Sequence, residues 1–268
     1  MSEPYYIKEA VKEEVPIILS IPHSGTEFPD EVKDHYLPEQ LQSLDDTDWF
    51  LHDLYHFAPS MGITVIHAKY SRWLIDLNRD PASKPLYEDG RIITGLTPKQ
   101  DFKGNPIYKT DCEPDQKEVD RRIELYYKPY YKKVRELLEA RKEKFGKALL
   151  WDAHSIRQHV PTIRKTPFPE MILGNNDGKT ADKKYIDITL KNLSEGYQLS
   201  HNDPFKGGHI TRYFGDPENQ IHALQLERNK NLYMDDAERK FDEKKANRMR
   251  EVLEFNFEQL IEALRSNG

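Results

Sequence analysis

The sequence of 268 residues predicts a single α/β domain, residues 1–268, with a central mixed, mostly parallel and twisted sheet that is covered by helices on both faces. Short, almost purely apolar segments recur along the chain, and such segments are typical of strands that are buried on both faces. Segments with a helical period lie between them, which is the alternation of a parallel α/β sheet. No stretch has the composition of an interdomain linker, so one domain is expected.

Five apolar segments are predicted as strands, at residues 16–21, 63–68, 71–77, 147–151 and 222–226. The first, PIILSI, ends at the turn residues Pro22-His23-Ser24-Gly25, so it is predicted to be a buried strand that delivers His23 into a loop. The fourth, KALLW, is followed in the same way by His154, and the fifth ends at Glu227.

Four segments are predicted as helices, at residues 48–58, 115–145, 180–193 and 235–265. Proline in a helix interior removes a backbone hydrogen bond, so the second helix is expected to divide around Pro129. Gly146 is expected to end it, because glycine readily adopts the left-handed conformation that ends helices. Two stretches without a period, residues 81–112 and 156–171, are predicted as long loops, which in compact domains are often functional.

The composition excludes several classes of protein. Lys and Arg number 40 and Asp and Glu 46, so the net charge is −6, and no basic stripe suggests binding to nucleic acid. The single cysteine, Cys112, cannot form an intramolecular disulfide, and a reducing cytoplasm fits this best. No apolar segment approaches the roughly 20 residues that span a membrane, and the N-terminus lacks the apolar core of a secretory signal. We expect no nucleic-acid and no membrane partner, while the oligomeric state stays open.

Polar residues follow or end the predicted strands: His23, the pair Asn78-Arg79, His154 and Glu227. In open α/β sheets ligands bind outside the carboxyl ends of the strands, so these residues are expected to converge. Two histidines with nearby carboxylates, and no set of cysteines, indicate a metal site such as catalytic zinc. A lone loop histidine more often forms a hydrogen bond with the backbone, so the prediction of a metal site depends on having both His23 and His154.

A catalytic zinc site needs three protein ligands and an open position for water. The candidates for the third ligand are Glu27, Asp46 and Asp48. Helix capping is the structural alternative for the two aspartates, and it would account for one of them. Glu227 is the candidate general base, with a pKa raised by partial burial. The alternative for Glu227 is a solvated carboxylate that pairs with a nearby cation.

Arginines are the candidates for binding an acidic substrate, because the guanidinium fork matches a carboxylate in bidentate geometry. Arg79 follows Asn78, and Arg212 lies shortly after the pair Gly207-Gly208. Either arginine alone is weak evidence, since arginines are common on protein surfaces.

Seven motifs occur in the order of the N-formylglutamate amidohydrolase (deformylase) family, and together they cover nearly the whole chain. They are IPHSG at residues 21–25, DTDW at 46–49, YSR at 70–72 with IDLNR at 75–79, KPLY at 84–87, LWDAHSIR at 150–157, FKGGHITR at 205–212, and QLE at 225–227 with YMD at 233–235. Each motif alone is weak, but with seven in order the chain strongly resembles this family.

The same residues are more distantly similar to zinc carboxypeptidases, which have counterparts of His23, Asn78-Arg79, His154 and Glu227 in that order. The carboxypeptidase pattern His-x-x-Glu is absent, because Thr26 occupies the position of the glutamate. This second resemblance implies a carboxypeptidase-like fold of the phosphorylase/hydrolase type.

The family resemblance implies a metal-dependent amidohydrolase that cleaves N-formyl-L-glutamate to formate and L-glutamate, the last step of histidine degradation. The family pattern has an aspartate at the place of Asp46, so Zn²⁺ is expected on His23, Asp46 and His154. Asp48 and then Glu27 are the alternatives to Asp46.

In this interpretation Glu227 takes the proton of the attacking water and returns it to the departing amine. Asn78 and Arg79 would hold the α-carboxylate of the substrate, and Arg72 and Arg212 are the candidates for its side-chain carboxylate. Three alternatives stay open. They are a zinc amidohydrolase or carboxypeptidase-like enzyme acting on another N-acyl amino acid, a binding module for an acidic metabolite, and a structural protein that carries relics of the motifs.

Overall fold

The computed structural model describes residues 3–82 and 94–266. The motif at residues 84–87, and with it part of the predicted loop 81–112, lies outside these ranges. Seven strands occur within them, namely β1 (Tyr5–Lys8), β2 (Ile17–Ile21), β3 (Thr64–Ala68), β4 (Ala148–Ala153), β5 (Met171–Gly174), β6 (Leu199–His201) and β7 (Ile221–Arg228).

All seven strands form one sheet in the order β1-β3-β2-β4-β7-β5-β6. The four central strands β3, β2, β4 and β7 are parallel, whereas β1 runs antiparallel to β3 and β5 runs antiparallel to β7. The outermost strand β6 pairs in parallel with β5. Because β2, β4 and β7 are parallel neighbours, their carboxyl ends lie side by side at one edge of the sheet.

The helices in the described ranges are α1 (Asp30–Lys33), α2 (Pro38–Ser43), α3 (Leu51–Leu54), α4 (Gln116–Arg122), α5 (Lys128–Phe145), α6 (Lys183–Leu193), α7 (His209–Phe214) and α8 (Glu243–Arg265). Short 3₁₀-helices cover Ala58–Met61, Pro217–Asn219 and Lys230–Leu232, and a π-helical turn at Ile123–Tyr127 joins α4 to α5. Among the helices described, none combines the length and the apolar character needed to cross a membrane.

Alternate side chains of the central strands enter two separate cores. Ile17, Leu19 and Ile21 pack in a core that also holds apolar residues of α3, α6 and α8. Ile18 packs in the second core with residues of α5 and α7, and the hydroxyl of Ser20 lies 3.0 Å from a tyrosine hydroxyl of α5. Helices thus cover both faces of the sheet, which confirms the predicted α/β fold class.

The long helical segment divides beside Pro129, as predicted, because the π-helical turn Ile123–Tyr127 separates α4 from α5. Pro129 lies in the first turn of α5, a position in which proline is tolerated. Gly146 ends α5 with φ 78°, in the left-handed region, as predicted. The other predicted helices are shorter in the structure, since α3, α6 and α8 all begin after the expected positions.

The prediction of a strand at residues 71–77 is wrong. This segment forms turns, because the hydroxyl of Ser71 accepts from the N–H of Trp73 (3.2 Å) and its carbonyl accepts from the N–H of Leu74 (2.9 Å). Both edges of β3 are already occupied by β1 and β2. The sequence pattern also does not predict β1, β5 and β6, which are strands of three or four residues toward the sides of the sheet.

Candidate active site at the strand ends

Two histidines and an aspartate meet where the central strands end. His23 follows β2 after one intervening residue, and His154 directly follows β4. Asp48 is tied to this edge, because its N–H donates to the carbonyl of His23 (2.9 Å). One ligand atom from each of the three buried side chains lies within 4.8 Å of the others.

The facing atoms of this group are nitrogen and oxygen atoms that can act as ligands. Nδ1 of His154 lies 3.2 Å from Nδ1 of His23, and Oδ2 of Asp48 lies 3.5 Å from the former nitrogen and 3.9 Å from the latter. Oδ2 of Asp48 is buried and has no hydrogen-bond partner among the described residues. A buried, unpartnered carboxylate oxygen beside two imidazole nitrogens is unfavourable unless a cation or a proton lies between them.

The outer nitrogens of both histidines face carboxylates. Nε2 of His23 lies 2.8 Å from Oδ1 of Asp76, and Nε2 of His154 lies 3.2 Å from Oδ1 of Asp152. A carboxylate that accepts the Nε2 proton fixes the tautomer in which Nδ1 can bind a metal. His23, Asp48 and His154 could therefore hold a metal ion, with Asp76 and Asp152 suited to orient the two rings.

The two orienting carboxylates have different partners of their own. Asp76 is wholly buried, and it accepts from Nη2 of Arg72 (2.6 Å) and from the N–H of Asn78 (2.9 Å). Asp152, also wholly buried, accepts from the hydroxyl of Thr211 (2.9 Å) on α7. Apart from the histidines, Asp76 is thus paired with a full positive charge and Asp152 with a neutral hydroxyl.

The two histidines consequently differ in charge. Burial, together with the positive charge of Arg72, lowers the pKa of His23 to about 4. Burial also disfavours the charged form of His154, but the carboxylates of Asp152 and Asp48 outweigh this effect and raise its pKa to about 10. In the metal-free group, a proton on His154 therefore compensates the charge of the neighbouring carboxylates.

The structure brings Asp48, and not the predicted Asp46, beside the two histidines. The carboxylate of Asp46 accepts from the indole N–H of Trp73 (2.9 Å) and from the backbone N–H of Phe102 (3.0 Å), so both of its oxygens already have donors. Asp46 therefore holds the segments around Trp73 and Phe102 against the acidic turn, residues 45–48. Glu27, the remaining alternative, accepts from a tyrosine hydroxyl at the surface (2.6 Å).

Glu227 lies on β7, inside the strand and not just after it. Burial raises the pKa of Glu227 to about 7, with the positive charge of His154 opposing this shift and the negative charge of Asp48 adding to it. A carboxyl group whose pKa is close to neutrality can both take up and return a proton, which is what general acid–base chemistry requires.

Arg72 and Asn78, two of the predicted substrate-binding residues, lie near the two histidines, but both already have protein partners. The guanidinium of Arg72 pairs with Asp76. The amide of Asn78 has Nδ2 at 3.2 Å from Nε2 of His154, and its Oδ1 accepts from a backbone N–H of α7 (2.9 Å). A Cβ at position 208 would lie 2.1 Å from Nδ2 of Asn78, so Gly208 is required for this contact.

Arg79 and Arg212, the other predicted substrate-binding residues, are held by neighbouring carbonyls. Nε of Arg79 donates to the carbonyl of Thr94 (2.7 Å), and its Nη1 lies 3.7 Å from Oδ2 of Asp76. Nε of Arg212, on α7, donates to the carbonyl of Gly207 (2.8 Å). The part of both arginines in binding a substrate stays a prediction.

Three charged residues near the two histidines and Asp48 are not among the site residues predicted from the sequence: Asp76, Asp152 and Lys230. A signal exists for Asp152, because it precedes His154 by two residues, the spacing that places side chains on one face of a strand. Nζ of the buried Lys230 donates to the carbonyls of the acidic turn, at Thr47 (2.7 Å) and residue 45 (3.3 Å). Nothing in the sequence pattern marks this lysine.

Fold and site together define the class of protein, an α/β protein whose buried histidines and carboxylates meet at the ends of parallel strands and suit acid–base or metal-assisted hydrolysis. The profile of the N-formylglutamate amidohydrolase family matches residues 15–234. The chain therefore belongs to the N-formylglutamate amidohydrolase family, and it is a hydrolase that acts on linear amides.

Named relatives agree with this assignment. The chain is 42% identical over 226 residues, 84% of each protein, to an N-formylglutamate deformylase of Pseudomonas putida. It is also 42% identical over 225 residues, 83% of each protein, to an N-formylglutamate deformylase of Pseudomonas aeruginosa. The crystal structure of N-formylglutamate amidohydrolase from Ralstonia eutropha JMP134 is similar with a TM-score of 0.82 at 27% identity, over 98% of this chain and 99% of that one.

Proposed function

We propose that this protein is a metal-dependent deformylase that hydrolyses N-formyl-L-glutamate to formate and L-glutamate. The substrate is inferred from the names of the two Pseudomonas relatives. The observation that carries the metal dependence is the buried Oδ2 of Asp48, which has no hydrogen-bond partner among the described residues and lies beside two imidazole Nδ1 atoms. Two nitrogens and one carboxylate oxygen are a ligand set of catalytic zinc, which keeps a further position open for water.

In this proposal His23, Asp48 and His154 hold the metal, with Asp48 in the role that the family resemblance suggested for Asp46. When bound, Zn²⁺ would supply Lewis acidity, which polarises the formyl carbonyl and acidifies water. The carboxylates of Asp76 and Asp152 would keep the Nε2 protons in place and so fix both rings.

Glu227 would act first as general base and then as general acid. It takes the proton of the attacking water and gives it to the amine nitrogen as the bond to the formyl carbon breaks. A pKa of about 7 suits both steps near neutral pH. The charge of Arg72 acts on both Glu227 and Asp48, so this guanidinium would also stabilise negative charge that develops on the formyl oxygen.

We retain the predicted residues for substrate recognition. Asn78 and Arg79 are assigned to the α-carboxylate, and Arg72 and Arg212 are the arginine candidates for the side-chain carboxylate. A cytoplasmic setting, which depends on the single cysteine, and a place at the end of histidine degradation, which depends on the family resemblance, belong to the same proposal.

Metal analysis combined with a formate assay tests this function. The purified protein should contain stoichiometric zinc and release formate from N-formyl-L-glutamate. A chelator should abolish the release, and added Zn²⁺ should restore it. Faster hydrolysis of N-acetyl-L-glutamate or of a glutamyl peptide under the same conditions would favour the alternative of another N-acyl amino acid. Full activity after complete removal of the metal would contradict the metal dependence.

A further inference from the structure

A small cavity is lined by chain neighbours of two residues of the proposed metal site, Asp48 and His154. Its volume is about 240 Å³, which is below the usual range for drug-sized ligands and suits a short side chain. Ser155, which follows His154, and Asp46, which lies two residues before Asp48, both line it. The cavity is thus connected to the proposed metal site through adjacent residues of the chain, and the charge of Asp48 acts on Lys230 in its lining.

The lining of this cavity combines an apolar wall with a buried ammonium group. Phe102, Ile156 and Val160 form the apolar wall, and Lys230 also lines the cavity. Lys230 is only 2% exposed, and its Nζ donates to two backbone carbonyls, at 2.7 and 3.3 Å. Both acceptors are neutral, and Lys230 forms no ion pair with a carboxylate of the described residues. The charges of Asp48, Asp46 and Asp45 act on Lys230 from further away, and the charge of Asp48 would be committed to the metal.

The other charged groups of the cavity have partners of their own. Nζ of Lys103 lies 2.7 Å from Oδ2 of Asp45, and Arg157 pairs with both Asp45 and Glu238. Asp46 accepts from an indole and a backbone N–H, and burial raises its pKa. Since a buried charge is unfavourable without a counter-charge, the ammonium group of Lys230 is the one suited to an anionic ligand.

We propose that this cavity binds the side-chain carboxylate of an N-acyl dicarboxylic amino acid, with the ammonium group of Lys230 as its ligand. The proposal rests on the proposed function and names a specificity residue for it. An ammonium group has three N–H donors, and two of them serve the backbone carbonyls, so one is left for a carboxylate oxygen. The methylene groups of the substrate would contact the apolar wall. Lys230 suits this role better than the two predicted arginines, because Arg72 is bonded to Asp76 and Arg212 does not line the cavity.

Two substrates that differ in the charge at the end of the side chain test this proposal. N-formyl-L-norvaline has nearly the length of N-formyl-L-glutamate but ends in a methyl group, so the ratio of the two kcat/KM values measures recognition of the carboxylate. Lys230→Met should lower this ratio about 30-fold or more, because the carboxylate would be left unpaired in a desolvated cavity. Lys103→Met is the matched control, since Lys103 lies on the same cavity but is 58% exposed, and it should change the ratio less than about threefold.

An unchanged ratio in Lys230→Met would overturn the proposal, even if both rates fell together. That pattern would mean that Lys230 only holds the turn that carries Asp48. A second pair of variants does not depend on replacing a buried residue, because Thr162 is exposed and lines the cavity. Thr162→Asp should lower the ratio about tenfold relative to Thr162→Val, since both lose the hydroxyl but only one adds a repelling charge. Equal ratios in these two variants would also count against the proposal.

Calorimetry separates a failure of this inference from a failure of the proposed function. If the protein released no formate from N-formyl-L-glutamate, the binding of L-glutamate and L-norvaline would still report on the cavity. Tighter binding of L-glutamate to the unmodified protein, lost in Lys230→Met, would support the site. Equal binding of the two amino acids to the unmodified protein would overturn it.

Discussion

The Nδ1 atoms of the two histidines lie 3.2 Å apart, yet the surroundings leave His23 neutral and give His154 a positive charge. Both have a buried carboxylate at the outer nitrogen, Asp76 behind His23 and Asp152 behind His154. Apart from the histidines, Asp76 accepts from the charged guanidinium of Arg72, whereas Asp152 accepts from a neutral hydroxyl of α7. The pKa is accordingly about 4 for one histidine and about 10 for the other. Burial and Arg72 thus keep His23 neutral, while Asp152 and Asp48 together hold a proton on His154.

This difference has a direct consequence for metal binding. A metal ion needs the lone pair of Nδ1, so a charged histidine must first lose a proton. His23 is already neutral at physiological pH, and only His154 has a proton to lose. Changes to His23 with Asp76 and changes to His154 with Asp152 should therefore have different effects.

His154→Ala should have the largest effect, because it removes both the proposed ligand and the one charged histidine. We expect loss of the metal and a fall in formate release beyond the about 10⁴-fold that the loss of a general base alone can cause. The fold should survive, since His154 lies just beyond a strand end. Metal analysis, the formate assay and circular dichroism check this, with the exposed His56→Ala as a control. Full metal occupancy and turnover in His154→Ala would refute the assignment.

Glu227→Gln should keep the metal but lower kcat by about 10²–10⁴-fold, because the amide preserves shape and removes basicity. In the unmodified enzyme, activity should fall as the pH drops below the pKa of Glu227, which is about 7 without the metal. A bound dication would move this acidic limb to lower pH by stabilising the carboxylate. Glu227→Gln should no longer show this fall in activity at acidic pH. If it keeps a normal pH profile, the base is another carboxylate, and Asp152 is the next to be tested.

The parallel part of the fold could be predicted from the sequence, because strands that are buried on both faces require continuous apolar segments. β2 and β4 are buried along their whole length, and both are predicted. β1 and β6 are partly exposed and short, so their residues carry no comparable signal. The meeting of His23 and His154 followed from the rule that ligands bind at the carboxyl ends of parallel strands.

The choice between Asp46 and Asp48 could not be made from the sequence. The two residues lie in one acidic turn, and helix capping or metal binding could account for either. Contacts with segments distant in sequence separate them, since Trp73 and Phe102 donate to Asp46 while the carbonyl of His23 accepts from Asp48. Such contacts are set by the tertiary structure, and no local pattern encodes them.

Removing the orienting carboxylates one at a time should distinguish the two halves of the site. Asp76→Asn and Asp152→Asn should each weaken metal binding about 10–100-fold, the usual effect of losing an outer partner of a ligating histidine. Only Asp76→Asn should also lower the free energy of unfolding substantially, by about 3–5 kcal/mol, because it leaves the buried Arg72 without its carboxylate. Metal titration and denaturant unfolding measure these effects. Equal losses of stability in the two variants would contradict the comparison.

The smallest expected effect is a pH dependence of metal affinity that comes from His154 once Glu227 is ionised. The pKa of His154 is raised to about 10, so between pH 8 and 9 the metal must displace one proton from it, and apparent affinity should rise about tenfold per pH unit. His23, with a pKa of about 4, should contribute nothing in this range. Calorimetry in buffers of different ionisation enthalpy should report release of about one proton per metal bound. Asp152→Asn should flatten the dependence, because it removes the main charge that holds the proton, whereas Asp76→Asn should leave it in place. An affinity independent of pH in the unmodified protein would mean that His154 is neutral before the metal binds.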